Sequence, residues 1–116
     1  VELRHEPADG EPRPLATDVE VADSLLAKGI GLMGRSSIPD EYALVFEFDE
    51  PATHGIHMLL VRTPLDVIWL EDDEVRRVET LPAWTGHARE RADRFVELAP
   101  GAAEAVEPDD RVVLVE

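Results

Sequence analysis

Cysteine is absent from the chain, and lysine nearly so, with Lys28 standing alone beside ten arginines. The missing cysteine excludes disulfides, zinc–thiolate sites and thiol nucleophiles. No apolar run approaches the ~20 residues that a membrane-spanning helix needs. The opening Val1-Glu2-Leu3-Arg4-His5-Glu6 also lacks the apolar core of an export signal. These absences lead to the expectation of a cytoplasmic protein that engages no membrane. At 116 residues the chain has the length of one ordinary domain with a single core.

Acid is what the chain has in excess: 26 acidic residues against 11 basic ones give a net charge of −15. Such a surface repels itself in dilute buffer, whereas at about 1 M salt the Debye length falls to ~3 Å and the repulsion is screened. The acids are dispersed, with Glu2, Glu20, Asp40, Glu50, Glu71, Glu90 and Glu107 in different segments, as on a solvated face. An acidic, lysine-poor surface of this kind reads as halophilic adaptation. Nucleic acid is not expected as a partner, because phosphate binding needs a basic stripe. The one arginine cluster, Arg89, Arg91 and Arg94, alternates with Glu90 and Asp93.

Apolar residues occur in short blocks bounded by Pro, Gly and Asp, the pattern of strands. Val1–His5 and Leu15–Val21 read as a strand pair across the turn-rich segment from Pro7 to Pro12. Tyr42–Phe48, Gly55–Val61, Leu65–Leu70, Val75–Leu81, Arg94–Ala99 and Arg111–Val115 follow as strands. Glu71-Asp72-Asp73-Glu74 reads as a hairpin turn. One clear helix is expected over Ser24–Met33, where Leu26, Ile30 and Met33 share a face, with Asp23 as N-cap and Gly34 as the stop. A short helix is expected over Ala102–Val106, and the polar stretch Thr85–Asp93 reads as a loop. The fold class is mainly β, a small single-domain barrel or sandwich with one clear and one short helix.

Few residues carry chemistry. Gly29-Ile30-Gly31-Leu32-Met33-Gly34 matches the spacing of a phosphate cradle, but these glycines end a helix instead of opening one. No cofactor is expected. His54 and His57 are three apart on a strand, so they point to opposite faces, and no metal site is expected.

Asp66 interrupts the apolar block Leu65–Leu70 and shares a strand face with Ile68 and Leu70, so a buried carboxylate in need of a partner is expected there. Its candidate donors are Thr63, Arg62, His57 and, at long range, Arg35. The plainer account has Asp66 accepting backbone N–H groups at the Pro64 turn. Glu97, between Val96 and Leu98, can face solvent on an alternating strand. Trp69 belongs to the core, and Trp84 sits on a loop, where it can contact a ligand.

These residues fall in an order that resembles the domain of unknown function 192 family. The match runs from about Val19 to Val115, with residues 1–18 as an N-terminal hairpin or strand extension. Its elements are Gly31-Leu32-Met33-Gly34-Arg35, Leu44-Val45-Phe46, His57-Met58, Pro64-Leu65-Asp66, Phe95-Val96-Glu97-Leu98, Pro100-Gly101 and Asp110-Arg111-Val112. The resemblance implies a barrel-like or sandwich fold with few helices, and leaves activity open. Many bacterial members carry Trp-Met-Lys-Asn-Thr where this chain has His57-Met58-Leu59-Leu60-Val61, so a site built on that Lys and Asn is absent or rebuilt here.

Three functions remain. The leading one is a small-molecule binding module with a groove near Asp66, using Asp66, Arg62 and His57 as polar contacts, Trp84 as a lid and Arg35 as a distant donor. The second is a hydrolase pairing Asp66 with His57 or Arg62. The third is an accessory protein that docks a partner. The charge alone yields a test: the thermal midpoint should rise substantially between low salt and molar KCl, and a flat series of melts would remove the halophilic reading.

Overall fold

The computed structural model describes residues 1–22, 37–58 and 60–116. Eight strands run in chain order through these residues: β1 Glu2–Glu6, β2 Arg13–Ala16, β3 Asp18–Ala22, β4 Tyr42–His57, β5 Leu65–Glu71, β6 Glu74–Leu81, β7 His87–Leu98 and β8 Arg111–Val115. They form one open sheet in the order β2-β1-β8-β6-β5-β7-β4-β3. All pairings are antiparallel except β3 with β4.

Period-two alternation splits the apolar residues of β4, β5 and β7 between the two faces. Leu44, Phe46, Leu65, Val67, Trp69 and Phe95 enter one buried cluster. Ala43, Val45, Ile68, Leu70, Val96 and Leu98 enter the other. Each face needs a cover. β4 and β7 lose register between Glu47 and Ala52, then stay paired out to His57 and His87. This ribbon folds back over the first face, where Ile56, Met58, Ala88 and Ala92 join Trp69. Over the second face, β1, β2 and β8 bring Leu3, Ala16 and Val112 against Ile68 and Leu98. We call these the inner and outer faces.

The mainly β expectation holds, but the barrel or sandwich does not, because the sheet is open, and no described residue is helical. The two edge strands, β2 and β3, follow one another directly in the chain without pairing, and the chain changes partner at Thr17. The Thr17 and Asp18 N–H groups both donate to Glu41 O at 3.0 Å, which moves the chain from β1, its antiparallel partner, to β4, its parallel one. The expected strand Leu15–Val21 is thereby split into β2 and β3.

Ala102–Val106 is a run of turns instead of the short helix. Its Ala102, Glu104 and Val106 N–H groups reach carbonyls three residues back, and the Ala103 N–H is taken by Asp66. The stretch read as a loop, Thr85–Asp93, contains the first half of β7. Its small Ala88 and Ala92 lie on the buried side of the folded-back ribbon while Arg89 and Arg91 face solvent. The expected strands Tyr42–Phe48 and Gly55–Val61 merge into β4, which ends at His57. The helix expected over Ser24–Met33, its Asp23 and Gly34 caps, the glycine motif and Arg35 lie outside the described residues.

The hairpin turn stands as expected, with Asp72 and Asp73 at φ 54° and 65°, the left-handed pair that tight hairpins favour. The fold-back is locked at Gly86, whose N–H donates to Pro82 O and whose carbonyl accepts from Met58 N–H. A Cβ there would lie 2.7 Å from Pro82 O and 2.9 Å from Leu81 Cβ. Gly86→Ala should therefore cost about 1–3 kcal/mol through overpacking, read by denaturant unfolding, and an unchanged midpoint would show that this contact is not tight.

Candidate functional site

The β5–β7 pair places two carboxylates on opposite faces. Asp66 pairs with Leu98, and Glu97 pairs with Val67 and, across β4, with Leu44. Both acids are buried, at 2% and 6% exposure.

On the outer face Asp66 is fully engaged. Oδ1 accepts from Thr80 Oγ1 at 2.8 Å, and Oδ2 accepts from the N–H groups of Gly101 at 3.0 Å and Ala103 at 2.9 Å. The carboxylate fastens the turn after β7 to β5. Its backbone donors come from this turn, not from the Pro64 turn.

Neither His57 nor Arg62 is among its partners. His57, at the end of β4, and Arg62 and Trp84, in the adjoining loops, are exposed at the far end of the fold-back, where the Trp84 backbone N–H donates to Val61 O. The structure thus brings His57, Arg62 and Trp84 to one end of the molecule and turns the Asp66 carboxylate toward the outer face.

On the inner face Glu97 has the opposite environment. Its Oε1 is buried without a hydrogen-bond partner. Burial pushes its pKa from the ordinary 4.5 up to about 7, because an apolar setting disfavours the charged form. Trp69 is fully buried on the same face, and its Nε1 also lacks a partner. Trp69 pairs with Phe95, one diagonal step from Glu97 along β7, within reach of long side chains. The Arg77 guanidinium lies 5.5 Å from the Trp69 ring centroid, and Phe46 stacks on Phe95 at 4.4 Å. An acid whose burial favours its protonated form and an indole donor thus share one apolar layer.

Sequence reasoning singled out Glu97 but left it free to face solvent. The available signal was that Val96 and Leu98 on one side and Phe95 on the other make both faces of this strand apolar.

A third group was missed. His5 Nε2 and Asp110 Oδ2 are 2.7 Å apart, both residues buried. Asp110 also accepts from the N–H groups of Ala8 and Glu107 at 3.0 Å each. Burial would raise its pKa, but the His5 hydrogen bond and the two backbone donors outweigh that and hold it below the usual carboxylate range. The pair pins β1 to the loop before β8. Two clefts of about 400 and 380 Å³ border His5 and Arg13. His5 alternates with Leu3 on the buried side of β1, the one hint in the sequence, since Asp110 lies 105 residues away.

The sequence matches the DUF192 family, described as an uncharacterized ACR, over residues 6–114. The chain belongs to this family. No curated protein matches the sequence. Two solved structures share the fold. One, from Sinorhizobium meliloti 1021 and described as a candidate transcription regulator, is 24% identical with a TM-score of 0.85, over 97% of this chain and 91% of that one. The other, a protein of unknown function from Novosphingobium aromaticivorans DSM 12444, is 21% identical with a TM-score of 0.84, over 98% of this chain and 84% of that one. At these identities the likeness concerns fold.

Among the described residues no group of three or more His, Asp or Glu side chains is placed to hold a metal ion, and no helix is long and apolar enough to cross a membrane. For Asp66, the geometry leads to a definite expectation. Asp66→Asn turns an N–H donor toward existing donors and should cost about 1–3 kcal/mol, measured by denaturant unfolding in matched salt. A neutral result would mean that the turn docks without the carboxylate.

Proposed function

We propose that this DUF192 protein is a small-molecule binding module whose ligand meets the inner face at Glu97 and Trp69. One observation supports the reading: a carboxyl oxygen and an indole N–H, buried on neighbouring strands of one face, both lack partners. Such groups cost about 1–3 kcal/mol each when left unpaired, and a guest that bonds to both removes that penalty. Leu44, Val67 and Phe95 belong to the apolar cluster of this face, so the matching guest is neutral, with an apolar body and one polar edge. Asp66 is not part of this proposed site, because its carboxylate already serves three internal donors.

A second reading, a proton-transfer enzyme using Glu97, draws on the same pKa near neutrality. Compounds bound without turnover separate it from the first. The regulator description belongs to the Sinorhizobium protein, and a chain at −15 is a poor match for phosphate backbones. We read the acidity as adaptation to a salt-rich cytoplasm.

Proton linkage tests the site. Below pH 4.5 Glu97 is protonated folded or unfolded. Between 4.5 and about 7 the unfolded chain ionises while the folded one keeps its proton, so stability falls as pH rises and levels off above about 7. The loss should be about 3 kcal/mol. Glu97→Gln should abolish this part of the pH dependence whatever its effect on absolute stability. Thermal-shift screening of small neutral compounds with an apolar body and one polar edge should then find ones that stabilise the wild type and not Glu97→Leu. An unshifted Glu97 titration, or compounds that stabilise both proteins equally, would remove the reading.

A further inference from the structure

The chain has 26 acidic residues, yet none lies between Glu50 and Asp66 or between Glu79 and Glu90. These two segments instead hold Arg62, Arg89 and three of the four histidines, His54, His57 and His87. The fold joins them at one end of the molecule: His57 pairs with His87, Met58 N–H donates to Gly86 O, and Trp84 N–H donates to Val61 O. His57, Arg62, His87 and Arg89 are exposed there, and the Asp66 carboxylate is buried on the outer face.

The same end displays two large apolar side chains. Leu60 is 48% and Trp84 50% exposed, two of the four large hydrophobic residues that the described structure leaves open to solvent. Both stand at positive φ, 63° and 66°, a left-handed backbone that residues other than glycine seldom adopt. Strained backbone that presents apolar groups to water is out of place in a structural loop, and it clusters where proteins clamp partners.

We infer that this end is a docking surface for an acidic polypeptide segment that carries an apolar side chain. The occupant follows from charge: Arg62 and Arg89, without a single acid in the same two segments, complement a negative partner. The partner is a segment because the rest of the molecule is strongly acidic. A vesicle or nucleic-acid rod would bring its charge within a Debye length, ~8 Å at physiological ionic strength, of that acidic body, whereas a segment touches the loop end alone. Trp84 and Leu60 act as anchors, tryptophan being the residue type most often found at energetic hot spots.

The test uses labelled short peptides of Asp and Glu carrying one or two Leu or Phe residues, a Lys-based set with the same apolar content, phosphatidylglycerol vesicles and single-stranded DNA. The acidic apolar peptides should bind saturably and shift the amide resonances of Leu60, Arg62, Trp84 and His87. Trp84→Gly and Leu60→Gly should each weaken binding about tenfold, with melting temperatures retained because glycine accepts positive φ freely. Arg62→Glu should weaken the acidic peptides and favour the Lys-based set. Absence of saturable binding, equal binding of both sets, or glycine variants that bind like wild type would overturn the inference. Preferential binding of vesicles or DNA would overturn it in favour of those partners.

Discussion

The structure depends on a strand pair, β5 and β7, that is buried on both faces. From Leu65 to Leu70 and from Phe95 to Leu98 every side chain is buried, so a polar residue in either stretch must find a partner or lose its charge. The fold-back of β4 and β7 and the β1–β2–β8 ribbon on the opposite face are what close these two faces. Asp66 and Glu97 meet the same constraint with opposite outcomes. Asp66 faces a turn whose N–H groups are free of helical hydrogen bonds, and three donors converge on it. Glu97 faces Leu44 and Val67, and burial drives it toward its neutral form.

That contrast separates a structural carboxylate from a candidate functional one more clearly than residue type can. A satisfied buried ion has spent its bonding capacity within the fold, whereas an unsatisfied neutral acid retains it. Trp69 strengthens the point, since its indole nitrogen lies unpartnered on the same layer. The His5–Asp110 pin belongs with Asp66: its carboxylate collects His5 and two backbone donors and joins the two chain ends.

Charge is distributed with the same economy. The exposed strands and turns carry the excess acid, and many of the arginines there are already in ion pairs, such as Arg94 with Glu47 and Asp73 and Arg111 with Glu6 and Asp73. The fold-back end breaks this pattern, with exposed cations, no acid in its two segments, and two apolar side chains on left-handed backbone.

The sequence by itself determined the elements whose pattern is local. Short apolar blocks placed Leu65–Leu70 and Arg111–Val115, the paired aspartates at 72 and 73 marked the hairpin, and the interrupted apolar block required that Asp66 be buried. The tertiary structure decided what depends on partners far along the chain. Whether Glu97 faces solvent turns on the apolar residues that β4 and β5 place beside it. Whether Thr85–Asp93 is loop or strand turns on pairing with residues near 52–57. Where the turns at Ala102–Val106 dock depends on an aspartate on β5 that accepts from the Gly101 and Ala103 N–H groups. Alternation assigns a side chain to a face, but burial of that face is set by the elements that cover it, and those contacts join residues too distant in sequence for any local pattern to record.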